Sequence, residues 1–105
     1  MFDMMKMMGK MKDVQARLQE AQNKLALLSA TGDAGGGMVK AVVNGKKQLI
    51  SLDIDPAILK SEDKIMVQDL VVAAVKIASD KAEALAKEEL KKVYLFNYIN
   101  LIRNR

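Results

Sequence analysis

The sequence predicts an α+β protein in which a small antiparallel sheet lies between two long helices. Three observations carry that expectation. Residues 1–28 contain no proline and one glycine, Gly9, and their apolar side chains recur every seven residues. Residues 38–55 change to apolar alternation on either side of Asn44-Gly45, the pattern of a hairpin. Residues 62–92 then return to a helical period.

In the first helix, Met4, Met11, Leu18 and Leu25 form one series and Met7, Val14, Ala21 and Leu28 the other. This is the spacing of a coiled-coil seam. A seam requires a helical partner, and either the second helix of the same chain or the equivalent helix of another chain satisfies it. Six of the eight methionines fall in the first eleven residues. Their unbranched thioethers fill irregular contacts, so adaptable packing is the main reading and membrane-surface attachment through Phe2 the minor one. Lys10, Arg17 and Lys24 stand seven apart beside the seam. At 1.5 Å per residue they cover about 21 Å, enough to follow several duplex phosphates without reading bases. A solvated flank paired with acids such as Glu20 fits the pattern equally well.

Ser29-Ala30-Thr31 offers a short third strand, and Gly32 is placed to end the helical region or permit a tight turn. Gly35-Gly36-Gly37 lacks the Gly-Lys-Ser/Thr of a phosphate loop, and a strand follows where phosphate binding wants a helix. A connection or close backbone approach remains. Asn44-Gly45 suits a two-residue type I′ turn. That turn sets Val43 opposite Lys46, Ala41 opposite Gln48 and Val39 opposite Ile50, and gathers Val39, Ala41, Val43, Ile50, Leu52 and Ile54 on one face. The other face shows Lys40, Lys47, Ser51 and Asp53 with Met38, Val42 and Leu49, more apolar surface than a solvated face carries.

Asp53 and Asp55 share one side of a strand, a spacing tolerable for Mg²⁺ or acid–base chemistry. A structural role is simpler, because Asp55 precedes Pro56 and can cap a turn through Ile58 and Leu59. Ser61 is the expected N-cap of the second helix, with Glu62 and Asp63 in its first turn. Ile65, Val67, Leu70, Val71, Ala74, Ile77 and Ala78 keep the helical period and should pack on the Val39/Ile50 face. Beyond Ser79 the helix becomes alanine and charge, with Glu83–Lys87 and Glu88–Lys92 spaced for mutual support. Such a segment projects as a poorly buried arm. Lys81, Lys87, Lys91 and Lys92 can meet phosphate there, although nearby acids cancel much of their field. The segment 93–105 holds three of the four aromatic residues, Tyr94, Phe96 and Tyr98. Continuation of the helix, another partner contact and a foreign origin all remain compatible with it, and a single-strand stacking surface with Arg103 and Arg105 is a weaker option.

Composition narrows the chemistry. A chain of 105 residues makes one domain. Two helices of roughly 27 residues would each span about 40 Å, so they either protrude or are covered by a second subunit. Cysteine and histidine are absent. Disulfides, thiol chemistry, the commonest zinc ligands and the commonest acid–base catalyst go with them. With no obvious nucleophile and base either, no catalytic residue, metal, cofactor or small-molecule substrate is expected. No apolar run spans a bilayer, and Asp3, Lys6 and Lys10 interrupt the N-terminus unlike a signal peptide, which predicts a cytoplasmic, non-membrane protein. The net charge of +4 permits an anionic partner. Lys40, Lys46 and Lys47 form a local excess with no acid between residues 38 and 50, whereas residues 66–92 balance five lysines against five acids.

Thr31-Gly32, Gly35-Gly36-Gly37, Met38-Val39-Lys40, Asn44-Gly45 and Leu52-Asp53-Ile54-Asp55-Pro56 fall in an order and spacing that resembles the YbaB/EbfC family of nucleoid-associated proteins. The resemblance covers residues 1–92 as one domain, with a helix at 1–28, a sheet at 29–55 and a helix at 62–92; residues 93–105 depart from the family's flexible Gly/Met/Pro tail. It implies an α-β-β-β-α protomer, a homodimer with helices projecting like tweezers, and binding of double-stranded DNA with low or modest sequence selectivity. Effects on DNA conformation, nucleoid organisation or gene expression, and a place in the nucleoid, would follow. On that implication Lys10, Arg17, Lys24, Lys40, Lys46 and Lys47 are the leading phosphate candidates, Lys87, Lys91 and Lys92 follow, and Met38, Val42 and Leu49 are candidates for the dimer contact. The rival class is a prefoldin-like helical chaperone subunit clasping apolar clients through the methionines.

Overall fold

The computed structural model describes residues 4–103. In chain order it contains α1 (Met4–Leu27), β1 (Ser29–Ala34), β2 (Val39–Asn44), β3 (Leu49–Ile54), single 3-10 turns at Pro56–Ile58 and Ser61–Asp63, and α2 (Lys64–Arg103). The strands form one antiparallel sheet in the order β1-β2-β3. Ser29-Ala30-Thr31 does open a third strand, as expected. Phe2 and Arg105, named above for membrane contact and stacking, lie outside the described residues.

The hairpin differs from the two-residue turn expected of Asn44-Gly45. Asn44 ends β2, and its backbone N–H donates to Gln48 O at 3.0 Å while Lys47 N–H donates back to Asn44 O at 2.9 Å. Gly45, Lys46 and Lys47 therefore make a three-residue loop, with Lys47 taking the left-handed conformation at φ 63°. The buried Asn44 side chain stabilises this loop by accepting from Lys46 and Gln48 N–H, both at 3.0 Å. The register shifts accordingly. Val39 faces Ile54, Ala41 faces Leu52 and Val43 faces Leu49, with a bulge between Val42 and Val43 that leaves Ile50 unpaired. Ile50 does not face Val39, and it is 58% exposed.

Gly45 has another task. Its N–H donates to Leu25 O at 2.9 Å and Leu28 O at 3.0 Å, filling carbonyls left open at the end of α1. A Cβ on Gly45 would stand 2.6 Å from Leu25 O, so only glycine lets the hairpin dock there. Gly35, Gly36 and Gly37 all adopt positive φ between β1 and β2, a run that other residues enter only with strain. That segment is a strand-to-strand turn.

Gly32 neither ends a helix nor makes a turn. It lies in β1 directly beneath α2, where a Cβ would collide with Ala74 O and Ala78 N. Around it Ala30, Val39, Ala41, Val43 and Ile58 bury against Ala74, Ala78 and Ala82. Val67, Leu70, Val71 and Val75 flank this core, whereas Ile65 is 73% exposed and Ile77 is also exposed. Asp55 caps its turn by accepting from Ala57 N–H at 2.9 Å. Ser61 does not cap α2, because it opens a 3-10 turn whose N-cap position is Lys60 and α2 begins only at Lys64.

Past Ala82, α2 runs clear of the sheet and continues through the segment 93–103 as helix. It meets α1 of the same chain, burying Ala21 and Leu25 on one side and Glu89 and Val93 on the other. This chain's own second helix thus takes up the seam at Ala21 and Leu25, while Met4, Met7, Met11 and Leu18 stay exposed. The paired helices form an arm and give the molecule extents of 74 × 18 × 17 Å. Its radius of gyration is 20.6 Å, against about 13 Å for a compact chain of this size.

Two glycine replacements should behave oppositely. Gly32→Ala overfills the helix–strand contact and should cost about 3 kcal/mol or prevent folding. Gly9→Ala, in a helix with nothing within 4 Å of its new Cβ, should stabilise by about 0.5–1 kcal/mol. Urea unfolding followed by helical circular dichroism measures both.

Candidate nucleic-acid interface

Charge is divided sharply between the sheet body and the arm. Helix α1 carries five cations against two acids, and α2 from Lys81 onward carries five against three. Residues 28–80 hold six cations against seven acids. The arm therefore has a positive excess of five, while the body is negative by one. Folding brings acids beside part of the local lysine excess at residues 38–50. Lys40 pairs across strands with Asp33 on one side and Asp53 on the other, and Lys47 bridges Glu83 of α2 at 3.5 Å. Lys46 is exposed in the hairpin loop.

Arg17 and Lys24 turn toward α2. The Arg17 guanidinium stacks over Phe96 with its carbon 4.1 Å from the ring centre. Lys24 Nζ approaches Glu89 Oε1 at 3.5 Å, and Lys92 Nζ donates to Glu89 Oε2 at 3.1 Å. Glu89 is only 9% exposed, whereas both lysine side chains remain more than half exposed. A gap of about 170 Å³ between the helices is rimmed by Arg17, Glu20, Lys24, Glu89 and Lys92. Lys10 lies farther along the arm beside Asn97 and Leu101. Thus the Lys10–Arg17–Lys24 stripe follows the α1–α2 seam, with its cations at the rim.

On α2, the expected Glu83–Lys87 and Glu88–Lys92 pairs are replaced by Lys47–Glu83, Lys91–Glu88 at 3.3 Å and Lys92–Glu89. Lys87 is exposed, without an ion pair among the described residues. Lys81 donates to Thr31 O at 3.2 Å and ties the helix to β1. Among the described residues, no group of acids could hold a metal ion, and no helix is long and apolar enough to cross a membrane.

The YbaB/EbfC DNA-binding family matches this sequence over residues 1–95. The chain belongs to that family. A nucleoid-associated protein of Chlorobium phaeobacteroides strain BS1 is 54% identical over 86 residues, covering 82% of this chain and 76% of the relative. A nucleoid-associated protein of Agrobacterium fabrum is 42% identical over 90 residues, covering 86% and 84%. The crystal structure of an uncharacterized protein from Helicobacter pylori superimposes with a TM-score of 0.70 at 26% identity, covering 94% of this chain and 99% of that one. The YbaB/EbfC family is a DNA-binding family, so this chain is a binding protein and not an enzyme.

In this YbaB/EbfC chain, the sheet residues Met38, Val42 and Leu49 do not form one continuous patch. Met38 and Leu49 are exposed and Val42 is half-buried, but the bulge sets Leu49 opposite Val43. Glu89 is the site residue that sequence reasoning missed. Its signal was present, since Ala82, Glu89 and Phe96 stand seven apart and continue the buried line of α2.

The hydrogen bond from Lys92 holds the Glu89 carboxyl below the ordinary glutamate range; burial opposes this, and the charges of Lys92 and Lys24 add to it. A carboxyl with a lowered folded pKa contributes stability above its unfolded value and loses that contribution as pH falls through the folded value. Thermal melts taken from neutrality downward should therefore decline through and below the ordinary glutamate range. Glu89→Gln, with Lys24, Lys92, Arg17 and Glu20 unchanged around it, should flatten that part of the profile.

Proposed function

We propose that the chain is a homodimeric, nucleoid-associated protein of the cytoplasm that grips duplex DNA along the α1–α2 arm through phosphate contacts, with low sequence selectivity. The observation that carries this reading is the positive excess of five confined to the arm, on a chain whose family binds DNA. With 24 residues, α1 is about 36 Å long, close to one turn of duplex. Lys10 and Lys87, with Arg17, Lys24, Lys91 and Lys92 along the rims, are the contacts expected to meet phosphate. Lys46 and Lys47 lie at the root of the arm. Lys40, set between two acids, contributes least. Ammonium groups strung along the rim of an arm meet backbone phosphates without presenting a fixed donor pattern to base edges, which supports low selectivity. An arm of this kind can alter DNA conformation by engaging successive phosphates.

Dimerisation has its own support. Helix α2 covers β1 and β2 but leaves Leu49, Ile50 and Leu52 of β3 exposed at an unpaired sheet edge. Among the described residues only Val39 and Val43 are large side chains buried completely, a thin core for a chain of this length. A second protomer against the sheet would add to it. The helical-chaperone reading rests on the exposed Met4, Met5, Met7, Met8 and Met11 at the far end of the arm.

Unrelated duplexes should bind with similar affinity, and six phosphate contacts per dimer would weaken binding about 10³-fold between about 50 and 200 mM salt. Lys10→Gln in both protomers should reduce the log–log salt slope by about two units, while Lys40→Gln should leave it unchanged. Anisotropy titration measures both, and a chain indifferent to DNA at low salt would favour the chaperone class. Sedimentation equilibrium should give twice the 11.6 kDa chain mass, reduced toward one chain by Leu49→Glu.

A further inference from the structure

The arm carries a buried acid on a surface otherwise rich in cations, and nothing in DNA binding calls for one. Glu89 stands on the line formed by Ala82, Val93 and Phe96, where an apolar residue would fill the seam. Instead its two oxygens each engage a different lysine, Lys24 from α1 and Lys92 from its own helix. Those lysine side chains stay 55% and 70% exposed, so the same ammonium groups face both the carboxylate and solvent. The gap beside them is open and bordered by Arg17, which its stack on Phe96 holds in place.

We propose that Glu89 is a built-in counterion for the arm, competing with DNA phosphate for Lys24 and Lys92 and thereby setting a ceiling on affinity. This rests on the reading of the arm as the DNA surface. The pair of lysines is held at a fixed place by the buried carboxylate, so it is positioned for phosphate before DNA arrives. Binding then exchanges one anion for another, so the two lysines neutralise less phosphate charge, and release fewer of the duplex's condensed counterions, than two unpaired lysines would. The consequence is a weaker, less salt-dependent and more readily released complex than the cation count of the arm alone would give. Glu88 supplies the internal comparison, because it is one residue away, fully on the solvent side, and pairs only with Lys91, also exposed. The two acids make the same formal contribution to net charge. Only Glu89 restrains cations from two helices.

The test compares Glu89→Gln with Glu88→Gln in duplex titrations at several salt concentrations, using the full chain. Glutamine keeps the shape and can still accept from one lysine through its amide oxygen, but its amide nitrogen cannot accept from the other and the charge is removed. Glu89→Gln should bind at least about fivefold tighter at about 100 mM salt, with a log–log slope steeper by about two units per dimer, and Glu88→Gln should change affinity less than about twofold. Adding Lys24→Gln should cost more affinity in the Glu89→Gln background than in the wild type. Equal effects of the two glutamine variants overturn the proposal. If Glu89→Gln loses its helical signal, the Glu89 carboxyl ¹³C resonance of the wild type decides: it should shift as duplex is added, and an unmoved resonance at saturation overturns the counterion role. A wild type silent toward duplex removes the DNA reading itself, and a Glu89→Gln variant equally silent removes this one with it.

Discussion

The approach of α2 to β1 at Gly32 determines the placement of everything else. No side chain separates the two backbones there, and alanines make up most of the buried residues around the contact: Ala30 and Ala41 from the sheet, Ala74, Ala78 and Ala82 from the helix. Small residues let a helix settle close to a sheet, but they also make the contact narrow. Helix α2 consequently covers two strands and cannot reach the third. The same rod continues straight past the sheet, because nothing in residues 64–103 breaks it. At the other end Gly45 brings the hairpin loop against the final carbonyls of α1. These two close contacts fix where the helices start and so aim the arm.

An arm so placed holds the chain's positive excess away from a slightly acidic body, which concentrates the field on one elongated surface. Its ion pairs differ in kind. Lys91–Glu88 is exposed on both sides, and such a pair contributes little to stability and yields easily to a competing anion. Glu89 is different because its carboxylate is mostly out of water and must keep partners. It holds α1 to α2 by charge at the level where Ala21 offers no bulk. Fold and cationic surface are therefore linked through one residue.

Much of this was legible in the chain. Seven-residue spacing identified the first helix, the ordinary helical period the second, and alternation with turn residues the sheet, because those periods follow directly from backbone geometry. Which helix pairs with which was not legible, since a heptad seam specifies a helical partner and not its owner. The hairpin register failed for a specific reason. Asn44-Gly45 resembles a two-residue turn, but the Asn44 side chain is buried and bonds ahead to Gln48, while Gly45 is required at the end of α1, so the tip moves to Lys46 and Lys47. Gly32 was misjudged similarly, because a glycine that permits close packing and one that permits a turn look alike in sequence. The cations Arg17 and Lys24 were found by spacing; the acid that organises Lys24 was missed, because a glutamate in a charged stretch reads first as solvated and its seven-residue spacing from Ala82 and Phe96 shows only when the buried line of α2 is followed that far.

The segment beyond residue 92 completes the argument. Read alone, its aromatic and apolar residues look foreign to the charged helix before it. In the structure Val93 is buried against α1, Phe96 carries Arg17, and Asn97 and Leu101 lie beside Lys10 and Val14. Without it, α1 from Met4 to Arg17 would have no helix to lie against, and the arm would end near Ala21. The family profile matches residues 1–95, and α2 runs on as one helix through Arg103. Lys10 and Arg17 keep a fixed position only because that extension is helical. The reach of the cationic surface is thus set by how far α2 continues, and α2 continues as long as its line of small and apolar residues still finds α1.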